Sequence, residues 1–416
     1  MKKIISITLG LIYALCVVTQ LSAAETKYPV ICYEGDKLEE IRSWEKEWAD
    51  KKIDDANIEQ VKEFLPDSLY DLFTDTEKWG KHWFRIVPYR TISPSKGKIE
   101  MTLQYAGKTK IGKQGECLNW VSGVPFPNAT TGVEMAHNFR NRCAGDSIKT
   151  DESALIVDGR LKYDMDIKIK NNYFYFSGRT DVQPVPELPD NKKQIWRAFT
   201  MLQLDPPEAR DMRIMEINYK DKMKSYDSWY WLPAIRRIRR RSTSERQDAL
   251  GGGDFAGYDN FGWDGPVQIN KYKNLGQKDL LMPRHNPDYK DYAGLHVKGD
   301  CIFNGIKRER IKMHVVEVEN QNPNFMYSKM IWYLDPETWQ MLYSDRYDRN
   351  GKLWKVLEQF SYDGKGMNDV PVDFFSGNQM VDVQRRHSTI AYGNFDFGLE
   401  MSPRMFTFQY LRKRAY

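Results

Sequence analysis

The chain has 416 residues, with 62 Lys+Arg against 57 Asp+Glu and a formal net charge of +5. With 41% hydrophobic and 29% charged residues it is a folding sequence, and so small an excess of positive charge argues against a dedicated nucleic-acid binder. Aromatics are abundant: 12 Trp, 24 Tyr and 19 Phe, side chains suited to broad sheet surfaces and ligand walls.

Lys2 and Lys3 precede an apolar run from Ile4 to Val18, and Ser22-Ala23-Ala24 offers the small residues a signal peptidase needs. Residues 1–24 therefore read as a signal peptide cleaved near Ala24, which marks the mature chain for export. Leu15, just before Cys16, is too bulky for a lipidation site. The remaining Cys32, Cys117, Cys143 and Cys301 permit two disulfides in an oxidising compartment, with Cys117–Cys143 the preferred pair.

Residues 25–110 read as a helical and irregular N-terminal extension. Leu38, Ile41, Trp44 and Trp48 form one amphipathic stripe, and a second helix is expected from after Asp55 to Pro66. Gly123-Val124-Pro125-Phe126-Pro127 is a rigid loop. Thr131 and Glu134 have capping-box spacing, so a helix should follow to about Arg142.

From there the period changes to two. Alternation over 161–169 predicts a strand, Asn171-Asn172 a turn, and 173–176 the return. Further strands are expected at 196–204, 212–219, 228–240, 311–319, 326–334, 339–347 and 353–362. Asp335-Pro336 and Asn350-Gly351 mark turns. Residues 241–310 read as irregular excursions. Residues 111–416 thus form a mainly β domain, one large curved antiparallel sheet with a few capping helices.

No nucleophile-elbow, Walker, dinucleotide or metalloprotease motif occurs. His82, His137, His285, His296, His314 and His387 lack metal-ligand spacing. Asp345/Asp348 and Asp369/Asp373 read as turn residues. No catalytic residue, metal site or cofactor is expected.

The densest constellation begins at Trp229-Tyr230-Trp231-Leu232-Pro233 and continues into Arg236, Arg237, Ile238, Arg239, Arg240 and Arg241. Gly251-Gly252-Gly253-Asp254-Phe255 follows. Strict alternation puts arginine on both strand faces. Those forks can recognise an anionic headgroup or an acidic partner, or pair with Asp254, Asp259 and Asp264 of the chain itself.

These residues carry a resemblance. Tyr230-Trp231-Leu232-Pro233 through Arg240, with Gly253-Asp254-Phe255 and Asp259, resembles the signature of outer-membrane lipoprotein-sorting-like proteins. More closely, the chain resembles the proteobacterial domain-of-unknown-function family 1329. Gly123–Pro127 with Gly132, Glu134 and Asn138 matches that family, as do Tyr327-Ser328-Lys329, Tyr333-Leu334-Asp335, Glu337–Gln340 and Asp345–Asp348. The resemblance covers about residues 115–410. It implies a half-barrel like that of periplasmic lipoprotein carriers, wrapped around an apolar cavity, without enzymatic activity. It also implies association with a resistance-nodulation-division-type transporter or an outer-membrane protein.

The function expected is a periplasmic carrier for a lipid or other hydrophobic ligand. Trp196, Trp229, Trp231, Trp332, Arg236 and Arg239 are the candidate ligand contacts, and Arg237, Arg240 and Arg241 the candidate partner contacts. The alternative is a structural adaptor that docks on a transporter or outer-membrane barrel without a small-molecule ligand.

Overall fold

The computed structural model describes residues 27–142, 145–221, 223–286 and 300–412. Six helices occur there: α1 (Gly35–Trp48), α2 (Asp67–Thr74), α3 (Thr76–Trp79), α4 (Lys96–Tyr105), α5 (Gly132–Asn141) and α6 (Phe408–Leu411). The strands are β1 (Lys52–Asp54), β2 (Trp83–Ile86), β3 (Lys110–Ile111), β4 (Cys117–Leu118), β5 (Ser147–Val157), β6 (Tyr163–Tyr175) and β7 (Ile195–Asp205). They continue as β8 (Arg213–Tyr219), β9 (Asp227–Leu232), β10 (Arg237–Arg241), β11 (Asn270–Met282), β12 (Ile306–Asn320) and β13 (Lys329–Leu334). The last are β14 (Met341–Tyr347), β15 (Leu353–Lys365), β16 (Pro371–Asp382) and β17 (His387–Phe397).

Fifteen of these strands form one open half-barrel sheet among the described residues. Its order is β1-β2-β12-β13-β14-β15-β16-β17-β5-β6-β7-β8-β9-β10, with β11 also on β12. Pairing is antiparallel throughout except for β2 against β12, so the sheet is mixed. The last strand, β17, pairs with β5 and joins the two halves of the chain.

Residues opposite one another across strands share a face. Trp332, Ser344, Leu357, Met380 and Thr389 form one such row across five strands. That row marks the inner face, covered by α5 and by the segment 242–269. The outer face packs Met313, Val315, Tyr333, Val356 and Val381 against Ile41, Val61, Leu69 and Phe73 of the N-terminal region. The sheet is thus buried on both sides in this half, which hides the period-two pattern of a strand with one wet face.

The stripe on α1 lies where its spacing requires, with Ile41 and Trp48 buried and Trp44 stacked on Trp48 at 5.9 Å. Residues 27–92 are tied to the sheet by buried polar groups as well. The backbone N–H groups of Cys32 and Ile92 each donate to Glu337 at 2.9 Å, and Arg284 pairs with Glu337 at 2.6 Å. On α5, Thr131 and Glu134 complete the capping box.

Several expectations require correction. The element after Asp55 is a 3-10 helix, Ile58–Phe64, and Pro66 opens α2 instead of ending a helix. Asn171 and Asn172 lie inside β6. The turn falls at Asp158–Lys162, where Asp158 accepts from the N–H groups of Arg160 and Lys162. The run 228–240 is a hairpin, with Arg236 in its turn at φ 51°. Residues 241–310 include a thirteen-residue strand, β11. Asp345 and Asp373 are buried in strands, not in turns: Asp345 accepts from Ser68, and Lys98 pairs with Asp373 at 3.0 Å. Of the cysteines, Cys32 and Cys301 are thiols and not disulfide partners. Cys301 is seated in the N-terminal core with its Sγ donating to the Trp79 carbonyl at 3.4 Å. Burial pushes both thiols up to about 12. The signal peptide and the Cys117–Cys143 pairing fall outside the described residues, through residues 1–24 and Cys143.

If α1 belongs to the common core, Ile41→Ala should lower unfolding stability by about 2–5 kcal/mol. Denaturant titration checks this, and a loss below about 1 kcal/mol would show a loosely attached helix.

Candidate functional site

The inner face divides into two parts. Over β12–β16 it is filled: Trp332 is 0% exposed and packs against Phe139 of α5 at 5.0 Å and Trp263 at 6.2 Å. Over β5–β8 and β17 it is not filled. There a cavity of about 180 Å³ lies between the sheet and the segment 242–269. Alternation decides its walls. Ile167, Ile169, Asn171 and Tyr173 line it from β6, Phe199, Met201 and Gln203 from β7, and Ile214 and Glu216 from β8. Phe375 and Phe395 enter from β16 and β17.

Leu250–Phe261 forms the roof. Its approach to the sheet needs glycine at 251, where φ is 60° and a Cβ would stand 2.8 Å from Ile167 Cδ1. Three aspartates hold this segment down. Asp254 accepts from Thr389 Oγ1 at 2.8 Å and pairs with His387 at 2.8 Å, while its carbonyl accepts from Lys355 Nζ at 2.6 Å. Asp259 accepts from Tyr327 at 3.1 Å and pairs with Arg346.

Asp264 is the most heavily engaged, with Arg197 at 2.8 Å, Arg140 at 2.9 Å and Arg246 at 3.3 Å. Burial alone would raise its pKa, but Arg197, Arg140 and Arg246 outweigh that penalty and hold the carboxyl below its ordinary value. The chain's own acids therefore do pair with arginines. The partners of Asp254, Asp259 and Asp264 are His387, Arg346, Arg140, Arg197 and Arg246, none of them in the run 236–241.

That run has a different placement. Ile214, on the cavity wall, pairs with Tyr230, and Tyr230 with Arg239, so these share the inner face. Trp229 and Trp231 alternate to the outer face, where Trp229 packs edge-on against Phe408 at 5.0 Å. Arg236 is exposed in the turn. Arg237 is exposed, Arg239 pairs with Glu245 at 2.5 Å, and Arg240 pairs with Asp227 at 2.7 Å. Arg241 is buried at the cavity wall, with Glu216 at 3.5 Å and the Glu245 carbonyl at 2.9 Å. Trp196 is buried at one end of β7 with the Arg140 guanidinium 4.3 Å from its ring centre. Of the nine residues singled out in the sequence, only Arg241 lines the cavity.

Ile167, Ile169, Phe199, Met201 and Ile214 lie in strands the sequence predicts, whereas β5, which reads as polar, is not predicted. Lys149, Asp151, Glu152 and Ser153 obscure a strand whose inner side contributes Glu152 and Ala154. The available signal was the run Ala154-Leu155-Ile156-Val157, directly before the turn at Asp158.

The model of the family described as "Protein of unknown function (DUF1329)" matches residues 52–412. The chain belongs to that family. An uncharacterized protein of Pseudomonas aeruginosa is 24% identical over 328 residues, covering 73% of this chain and 67% of that protein. The crystal structure of a DUF1329 family protein from Desulfovibrio piger is 16% identical with a TM-score of 0.50, covering 67% of this chain and 97% of that one. A putative outer membrane lipoprotein-sorting protein domain from Vibrio parahaemolyticus is 18% identical with a TM-score of 0.49, covering 68% and 98%. Among the described residues, no helix is long and apolar enough to cross a membrane.

Two outcomes test the roof anchors. Asp264→Ala leaves three buried guanidinium groups facing a vacated carboxylate position and should cost at least about 3–5 kcal/mol in a denaturant titration. A loss near zero would contradict the role given to Asp264. The hydrogen bond from His387 to Asp254 raises the histidine pKa, so its stabilisation is complete below the unfolded value of about 6.5. It is lost as pH rises through the folded value. The stability difference between wild type and His387→Gln should shrink with rising pH across that window, and a flat difference would exclude the ion pair.

Proposed function

We propose that the protein is a periplasmic carrier that holds a hydrophobic ligand in the cavity between β5–β8 and the segment 242–269. The unfilled apolar wall carries this reading. At about 24 cal/mol per Å³, leaving about 180 Å³ of apolar space empty costs up to about 4 kcal/mol. Packing the same face as tightly as the Trp332 half would avoid that cost. An apolar cavity near 150 Å³ accepts a benzene-sized guest, so this one suits a ring or a short stretch of alkyl chain. Export agrees with the signal-peptide pattern of residues 1–24.

Delivery needs a partner in the export or outer-membrane transport system. The hairpin β9–β10 is the surface we assign to it. β10 is an edge strand with an unpaired backbone side. Arg236, Arg237 and Arg240 are exposed around it, and Ile235 at its turn is 59% exposed. An acidic, partly apolar partner surface fits this edge. The same observation favours the adaptor reading as the second possibility.

N-phenyl-1-naphthylamine, a neutral probe that fluoresces in apolar surroundings, tests the cavity. Ala154→Phe places a ring in it. Wild type should bind the probe and Ala154→Phe at least about tenfold more weakly, a loss of about 1.4 kcal/mol, with unchanged circular dichroism. Equal binding by both proteins would remove the cavity from the account and leave the adaptor.

A further inference from the structure

The cavity is not uniformly apolar, and its polar groups are unevenly matched. Glu152 on β5 lines the cavity, and no cationic side chain among the described residues pairs with it. Its hydrogen-bond partner is Asn171 Nδ2, at 2.8 Å, while the Thr150 hydroxyl on the same face of β5 is buried without a partner. Asn171 also lines the cavity and is only 2% exposed, yet its Oδ1 has no partner. Asn378 Oδ1 is likewise buried and unpartnered but lies apart on β16, opposite Ala391. The room for Glu152 is built in. Gly393 lies opposite it on β17, and a Cβ there would stand 2.7 Å from Glu152 Cγ. A carboxylate without a cation and an unpartnered amide oxygen therefore meet at this end, beside the unpartnered Thr150 hydroxyl. The other end, five strands away at Arg241, already has Glu216 and the Glu245 carbonyl as acceptors.

The geometry points to a ligand whose head donates hydrogen bonds, a primary ammonium attached to an apolar tail, with the head on Glu152 and Asn171. This rests on the carrier reading and adds the head chemistry. A buried acceptor left without a donor costs free energy that a donating head recovers, and the carboxylate–ammonium contact is the strongest such bond available. Desolvation raises the Glu152 pKa, consistent with a carboxyl whose countercharge arrives with the ligand.

Calorimetric titration of the full chain with octylamine, octanol and octanoate tests it, because the three share a tail and differ in the head. Octylamine should bind at least about tenfold more tightly than octanoate. Glu152→Gln should abolish the preference for octylamine over octanol and leave octanol affinity in place, which also shows that the variant is folded. Tighter binding of octanoate overturns the assignment and favours an acidic head at the arginine end; an unaltered order in Glu152→Gln overturns it too. If N-phenyl-1-naphthylamine binds and the three probes do not differ, the head assignment alone fails. If neither it nor any octyl probe binds wild type, the carrier reading falls as well.

Discussion

The ion cluster at Asp264 is the constraint on which the rest of the inner face depends. One carboxylate from the segment 242–269 meets guanidinium groups from α5, from β7 and from the turn after β10. All four side chains are buried, and a buried charge without its partner is expensive. The segment therefore has one position over the sheet. Arg246 extends the cluster to Glu216, and Glu216 to Arg241, so the same network reaches the cavity wall. With Asp254 and Asp259 clamped to β17, β15 and β14, the roof is fixed over the cavity and meets the sheet closely at Gly251.

This arrangement explains why one half of the inner face is packed and the other is not. Over β12–β16, α5 and Trp263 supply enough aromatic volume to reach Trp332. Over β5–β8 the cover is a glycine-rich loop, and its side chains cannot fill the gap. A carrier needs such a contrast: a rigid platform and, beside it, an apolar space whose cover is held by polar contacts at defined points.

The large antiparallel sheet was legible in the sequence because tight turns between alternating runs leave few alternatives to antiparallel pairing, and the half-barrel was implied by the family resemblance. The capping box of α5 and the stripe of α1 were legible for the same local reasons. The location of the cavity was not. Trp229 and Trp231 attract attention by composition, yet one strand register places Tyr230 inward and both tryptophans outward. Arg236–Arg241 looks like one strand until Pro233–Arg236 is seen as a turn. Glu152, Asn171 and Gly393 are unremarkable in sequence, and only the pairing of β17 with β5 and of β5 with β6 brings them together. Pairing between segments more than two hundred residues apart leaves no local signature.

The central claim is that the cavity over β5–β8 is occupied by a hydrophobic molecule when the protein works. Native mass spectrometry of full-chain protein exported by its host and purified without detergent measures this directly. The account predicts a second species heavier than the mature chain by the mass of one small amphiphile, lost on gentle activation and absent from Ala154→Phe. A single species at the mass of the bare chain in wild type would contradict it.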